Sequence, residues 1–278
     1  VSPGQRSMVR RINIIGNDNT NDEVYRRELR QYESSLHSTS QVERSTIRLQ
    51  RLKFVENVDV QKTKVPGAND LVDLTFNIKE RQSGEFKISA GWSDVDGAIF
   101  DIKLDQENFL GRGKNIGVIA SKNSVSSTVR FIYTDPYFSA DGMSKSTNVQ
   151  LTQTDVSSTS TATYVADTFG AGAFYLTPIS EYESFGIGYD FKLTKFTTTV
   201  GSPIIVTHHI ADHGKKLFGL ELTSQYIYDT RDRTVFASTG NLFNVTPNMF
   251  LAADGASYAS TNFNSEHNTP YTLKTFGF

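Results

Sequence analysis

The chain of 278 residues carries 28 Lys and Arg against 30 Asp and Glu, a net charge of −2 at pH 7, so it has no electrostatic footprint for nucleic acid. It has no cysteine, which excludes a disulfide scaffold and thiol chemistry. No run approaches the roughly 20 apolar residues of a transmembrane helix, whereas a transmembrane barrel needs only every second residue to be apolar and stays open.

The opening "VSPGQRSMVRRINIIGN" lacks a basic segment followed by an apolar one, so it does not read as a signal peptide. The expectation is a cytosolic protein or an interior piece of a longer precursor. "VRRINIIG" reads as a strand ending at the turn Gly16-Asn17. "TNDEVYRRELRQY" places Val24, Leu29 and Tyr32 at near-helical spacing after a cap at Thr20 or Asn21. "SQVERSTIRLQRLKF" gives a second helix with Val42, Ile47, Leu49 and Leu52 as its apolar face and Ser40 or Thr39 as its cap. Two alternating strands, "VENVDVQKTKV" and "LVDLTFNIKE", follow around the turn "PGAND". Residues 1–81 therefore read as a β-α-α-β-β module.

From residue 84 to 278 the helical signal disappears. Strand candidates recur in "FKISAGW", "AIFDIKLDQENFL", "NIGVIASKN", "STVRFIYT", "KSTNVQLTQT", "DTFGAGAFYLTPI", "FGIGYDFKLTKF", "KLFGLELTSQYIYDT", "GNLFNVTPNMFLA", "SYASTNFNSEHNTPY" and "LKTFGF", about eleven in all. In "FGIGYDFKLTKF" Phe185, Ile187, Tyr189, Phe191 and Leu193 share one face, and Gly186, Gly188, Asp190, Lys192 and Thr194 the other. That period fits a soluble sandwich with an apolar core or a membrane barrel with an apolar outside. Strands of about 9 to 13 residues, longer than the usual five or six, favour the tilted membrane crossing. The polar phase of Gln150, Thr152, Asp190, Lys192, Glu221 and Thr223 suits a wet lumen, so the apolar five are expected to face lipid. Short connections at "NFLGRGK", "TPISEYES" and "TPY" against long ones at "VSSTSTATYVA" and "TTTVGSPIIVTHHIADHG" point the same way, while "TDPYFSADGM" and "DTRDRTVFASTG" are longer than a short-turn side predicts.

"VRRINIIGNDNTNDEVYRREL", "RLQRLKFVENVDV" and "VDLTFNIKER" resemble a polypeptide-transport-associated (POTRA) domain. "NFLGRGKNIGV", "YTDPYFSADGMS" and "PISEYESFGIGYDF" resemble the opening barrel strands of the BamA family, central to outer-membrane barrel assembly. The resemblance implies an α+β POTRA domain (β-α-α-β-β) followed by an antiparallel transmembrane β-barrel, incomplete in this chain. The arginine-glycine-phenylalanine motif of the family's lumen loop has no counterpart, and "TFGF" lacks the arginine. It implies a bacterial outer-membrane barrel with the POTRA domain in the periplasm, working as an insertase for unfolded outer-membrane proteins beside lipoprotein subunits and outer-membrane lipid. A two-partner-secretion transporter shares this architecture and is the alternative.

Several residues then take expected roles. "VENVDVQKTKV", with Val55, Val58, Val60, Lys62 and Lys64, would capture extended peptides by β-augmentation if it lies at a sheet edge, unless Lys62 and Lys64 protect that edge. Arg26, Arg27 and Glu28 match the family's "RRE" segment, which implies a polar docking face for a lipoprotein. Phe86, Ile88, Ser89, Ala90 and Trp92 lie on the implied gate strand. His208, His209 and His213 have metal-like proximity but read as a polar external loop. "GRGK" lacks the spacing of a phosphate loop and reads as a glycine turn, and "DTRDR" (229–233) as a solvated ion network. No G-x-S-x-G elbow or other catalytic constellation is present, so neither enzyme chemistry nor a cofactor is expected.

Overall fold

The computed structural model describes residues 6–68, 70–94, 97–139, 141–155, 164–198, 201–231, 239–253 and 257–268. The chain divides into two compact units, Val1–Glu85 with Asp105–Ile116, and Phe86–Leu104 with Gly117–Phe278.

The first unit contains β1 (Met8–Ile15), α1 (Asp22–Arg26), α2 (Thr39–Gln50), β2 (Val55–Lys64) and β3 (Leu71–Glu80). The sheet order is β1-β3-β2, with β1 parallel and β2 antiparallel to β3. Alternation on the central strand sends Val72, Leu74, Phe76 and Ile78 to one face, where Val9, Ile12, Tyr25, Leu49 and Val58 complete a buried core. Gly16, at φ +81°, ends β1 where any Cβ would overlap the Ile78 carbonyl oxygen, so only glycine fits the turn.

The first helix is shorter than its spacing predicts. It ends at Arg26 because the amides of Arg30 and Gln31 donate to Ser45 Oγ, at 2.8 and 3.3 Å, rather than continuing a helical ladder. Leu29 is still buried, on a turn, but Tyr32 is exposed. The same contact changes α2: Ser45 occupies the buried face beside Leu49, and Ile47 is 49% exposed rather than part of that face. The residues flanking the helices as caps are Asn21 and Ser38, and neither makes a side-chain cap hydrogen bond.

Residues 105–116 belong to this unit through the turn "NFLGRGK". Asn108 and Leu110 have positive φ, as do Gly111 and Gly113. The Asn21 amide donates to the Gly111 carbonyl at 2.9 Å, and Asn108 Nδ2 donates to Thr20 Oγ1 at 2.7 Å. Thr20 thus bonds the turn rather than capping α1.

A second sheet, most of it in the second unit, has ten described strands, β4 (Gly84–Ser93), β5 (Gly97–Phe109), β6 (Lys114–Lys122), β7 (Ser126–Asp135), β8 (Ser144–Asp155), β9 (Tyr164–Pro178), β10 (Glu183–Thr198), β11 (Lys216–Asp229), β12 (Gly240–Ala252) and β13 (Tyr258–Asn268). Each neighbours the next in sequence, giving an open sheet with β4 and β13 at its edges among the described residues. Ten of the eleven expected strands are found, and the eleventh, "LKTFGF", lies outside the described residues. So do "TPY", most of "VSSTSTATYVA", and Asp232 and Arg233 of "DTRDR". The segment read as a polar external loop contains a helix, α3 (Ile204–His213), which starts after Pro203 and ends at Gly214, whose amide donates to the Ile210 carbonyl at 2.9 Å. No described helix is long and apolar enough to cross a membrane.

Candidate functional site

The candidate site is a set of backbone edges and sheet faces. At one edge lies β4, whose only neighbour among the described residues is β5. Its residues from Gly84 to Trp92 are exposed throughout. Phe86, Ile88, Ala90 and Trp92 fall in one phase of the pleat, with Trp92 76% exposed, and Ser89 falls in the other, where its hydroxyl is 3.3 Å from Asp101 Oδ2. The rest of the β4 backbone edge faces no other described strand.

Away from that edge the sheet separates its faces. Phe185, Ile187, Tyr189, Phe191 and Leu193 of β10 are all at least 40% exposed. Register places Phe169 opposite Leu193 on β9, and Phe218 and Leu222 opposite Leu193 and Tyr189 on β11. Met249 and Leu251 continue that phase on β12. The other phase is tied laterally by polar groups. Arg130 donates twice to Gln150 Oε1, Asn148 Nδ2 donates to Asp190 Oδ1 at 2.9 Å, Lys192 pairs with Glu221, and Thr223 Oγ1 is 2.8 Å from Asn248 Oδ1. Spacing alone did not reveal that two large rings, Phe174 and Phe250, lie on this polar face. Phe174 occupies the space above Gly186 and Gly188, and Phe250 that above Gly219, where a Cβ would overlap the rings. The signal available was the Gly-x-Gly pair in the polar phase, since an aromatic ring over a strand glycine restores the packing it lacks.

In the first unit β2 is an edge strand, paired among the described residues with β3 alone. Val55 and Val58 are buried in the core and Val60 packs against it, so these side chains anchor the strand, while Lys62 and Lys64 are exposed. The segment Arg26-Arg27-Glu28 is only partly open. Arg26 pairs with Asp22 and Glu33 and donates to the Ile12 carbonyl at 3.1 Å. Glu28, expected on a docking face, is instead 6% exposed with Arg48 Nη2 2.7 Å from its carboxylate, because α1 ends before it and turns it inward. Glu80 is held below the usual carboxylate range: burial pushes it up, but hydrogen bonds from Thr20, Tyr25 and Asn19 outweigh that. His208 and His213 lie on exposed positions of α3, and no group of three or more metal-ligating side chains is found among the described residues.

The "Omp85 superfamily domain" model matches residues 108–278, well over half of the chain. The chain belongs to the Omp85 superfamily. The POTRA model, described as "Surface antigen variable number repeat", matches residues 7–81. The chain is 36% identical over 218 residues to the outer membrane protein assembly factor BamA of Neisseria meningitidis serogroup B, covering 78% of this chain and 27% of that protein. It is also similar to the crystal structure of BamA from Haemophilus ducreyi lacking POTRA domains 1-3, with a TM-score of 0.78 and 29% identity, covering 94% of this chain and 52% of that one. CdiB from Acinetobacter baumannii shares the fold, with a TM-score of 0.57 and 12% identity, over 94% of this chain and 49% of that one. The chain therefore spans about a quarter of the curated relative and half of the solved one. As an Omp85 protein of this type it belongs to the bacterial outer membrane, with its POTRA region in the periplasm.

Proposed function

We propose that this chain is part of a factor that folds and inserts β-barrel proteins into the outer membrane without catalysis, using β4 as a template edge and lateral gate. The similarity to the outer membrane protein assembly factor BamA carries the reading, with β5 the one neighbour of β4 among the described residues. In lipid each unpaired backbone group costs several kcal/mol, so a strand cannot enter with an open edge. A partner edge removes that cost by accepting the incoming strand as a neighbour. Phe86, Ile88, Ala90 and Trp92 give this gate strand its apolar phase and Ser89 its wet one. On β2, Val55, Val58 and Val60 fix the strand in place while its free edge receives extended segments of unfolded outer-membrane proteins, with Lys62 and Lys64 keeping it from self-association. Arg26 and Arg27 form the face for lipoprotein subunits, beside the buried Glu28. Phe185, Ile187, Tyr189, Phe191 and Leu193 meet outer-membrane lipid.

The test is a reversible lock. Ser89→Cys in the full-length protein, joined by a disulfide to a cysteine on the strand that closes its barrel, should stop insertion of a test barrel and restore it on reduction. This chain contributes no native cysteine to confuse the result. Full insertion with the lock closed would move the assignment to transport through the lumen.

A further inference from the structure

The outward apolar phase is interrupted by a groove of ≈380 Å³ that crosses β7 to β11. Its floor is Val129, Leu151, Phe169 and Leu193, each at least 40% exposed. These four stand on adjacent strands, with Val129 opposite Leu151, Leu151 opposite Phe169, and Phe169 opposite Leu193. At one end the lining changes character to Gln153, Asp167, Lys195 and Lys216.

The two lysines are direct partners across the β10–β11 pair. Like charges directly opposite one another in a sheet destabilise it. Asp167, which register sets opposite Lys195, accepts a hydrogen bond from Gln153 Nε2 at 2.9 Å. Among the described residues neither Lys195 nor Lys216 makes an ion pair. The rim therefore presents two adjacent cations, one acid shared with a glutamine, and an apolar trough leading away from them.

Strand direction says which end this is. The strands alternate, so the β8–β9 and β10–β11 connections that flank the lysines lie at the opposite end of the sheet from the β5–β6 turn and from Gly84, where the chain enters β4 from the POTRA region. With the POTRA region in the periplasm, the groove opens at the external boundary of the membrane.

The geometry points to a seat for an anionic, phosphate-bearing lipid, with an acyl chain along Val129, Leu151, Phe169 and Leu193 and its phosphate between Lys195 and Lys216. This rests on the reading that the apolar phase faces lipid. A phosphate between the lysines replaces their mutual repulsion by two charge-assisted hydrogen bonds. The trough gives the acyl chain more contact than a convex apolar surface does. A long, flexible lysine at a membrane boundary already tends to lift its ammonium toward the head groups. The bound lipid would fix the registry of β10 and β11 at the end where α3 is inserted between them.

Native mass spectrometry of the full-length protein, released from nanodiscs of equimolar phosphatidylglycerol and phosphatidylcholine with identical acyl chains, tests this. At ~1 kcal/mol per lysine near an anionic surface, the wild type should retain phosphatidylglycerol over phosphatidylcholine by about thirtyfold at its tightest site. K195Q/K216Q should bring the ratio close to one, and K195R/K216R should keep it. K53Q/K79Q, which removes the same charge from the first unit, should leave it unchanged. Inorganic phosphate at millimolar concentration should not displace the lipid, since the acyl chain contributes to holding it. Equal retention of both lipids by the wild type, or an unaltered preference in K195Q/K216Q, overturns the site while leaving the lipid-facing phase intact. Retention of no lipid of either kind overturns the lipid-facing phase itself, and displacement by phosphate alone reduces the seat to a simple anion site and overturns the acyl assignment.

Discussion

The Glu28–Arg48 pair shows how one side chain can decide what surrounds it. Glu28 is buried, so replacing Arg48 by Met leaves a carboxylate without its ion-pair partner, and we expect a loss of about 3 kcal/mol. Urea unfolding followed by exchange protection of the Phe76 and Ile78 amides measures it. Glu80 gives the first unit a pH dependence. Its folded value lies below that of the unfolded chain, so the unfolded chain binds the proton more readily. The stabilisation is therefore complete above about pH 4.3 and is lost as pH falls through the lower folded value. Glu80→Gln should flatten that acid loss in the same measurement, and a variant as acid-sensitive as the wild type would contradict the assignment. Gly111 belongs at this scale too. At φ +70°, with a Cβ that would overlap the Asn19 carbonyl oxygen, Gly111→Ala should cost at least ~1 kcal/mol and raise exchange at the Asn21 amide, which donates to Gly111.

Among the elements, β10 carries the most direct test of the two faces. Ile187→Lys places a charge in the apolar phase and should cost about 2 to 4 kcal/mol near the bilayer midplane. Glu221→Gln, in the polar phase, loses one partly exposed pair with Lys192 and should cost less than ~1 kcal/mol. Folding into bilayers of defined thickness compares them. The same strand shows why sheets were easier to read from sequence than helices. A period of two assigns every residue of "FGIGYDFKLTKF" to a face without knowledge of any neighbour. The extent of α1 was not written locally, because Ser45 of α2 takes the amides of Arg30 and Gln31 and ends a pattern that Leu29 and Tyr32 would otherwise extend. The helix α3 has its signals in the sequence: its polar and histidine residues suggest a loop, while the Pro203 and Gly214 that bound it are helix punctuation. Phe174 and Phe250 were hidden because apolar residues are expected on the apolar face, and only pairing in space shows a ring filling the space above a glycine on the next strand.

For the molecule as a whole, the proposed function depends on strand edges. Among the described residues the sheet edges are β1 and β2 in the first unit and β4 and β13 in the second, and the proposal uses β2 and β4. Sequence alone indicated that β2 could be an edge, since Lys62 and Lys64 mark one, but the position of β4 depended on the order of all ten strands. The proposed gate requires that an incoming strand pair with β4 itself. Cysteine cross-linking of a stalled barrel substrate to the full-length protein tests it most directly, with single cysteines at Ser89 and Trp92 on β4, and at Thr223 and Asn248 on the polar face of β11 and β12. Disulfides are expected from Ser89→Cys and Trp92→Cys to two residues of one substrate strand that lie three positions apart and on opposite faces, and none from Thr223→Cys or Asn248→Cys. Cross-links confined to Thr223 and Asn248, with β4 silent, would contradict it.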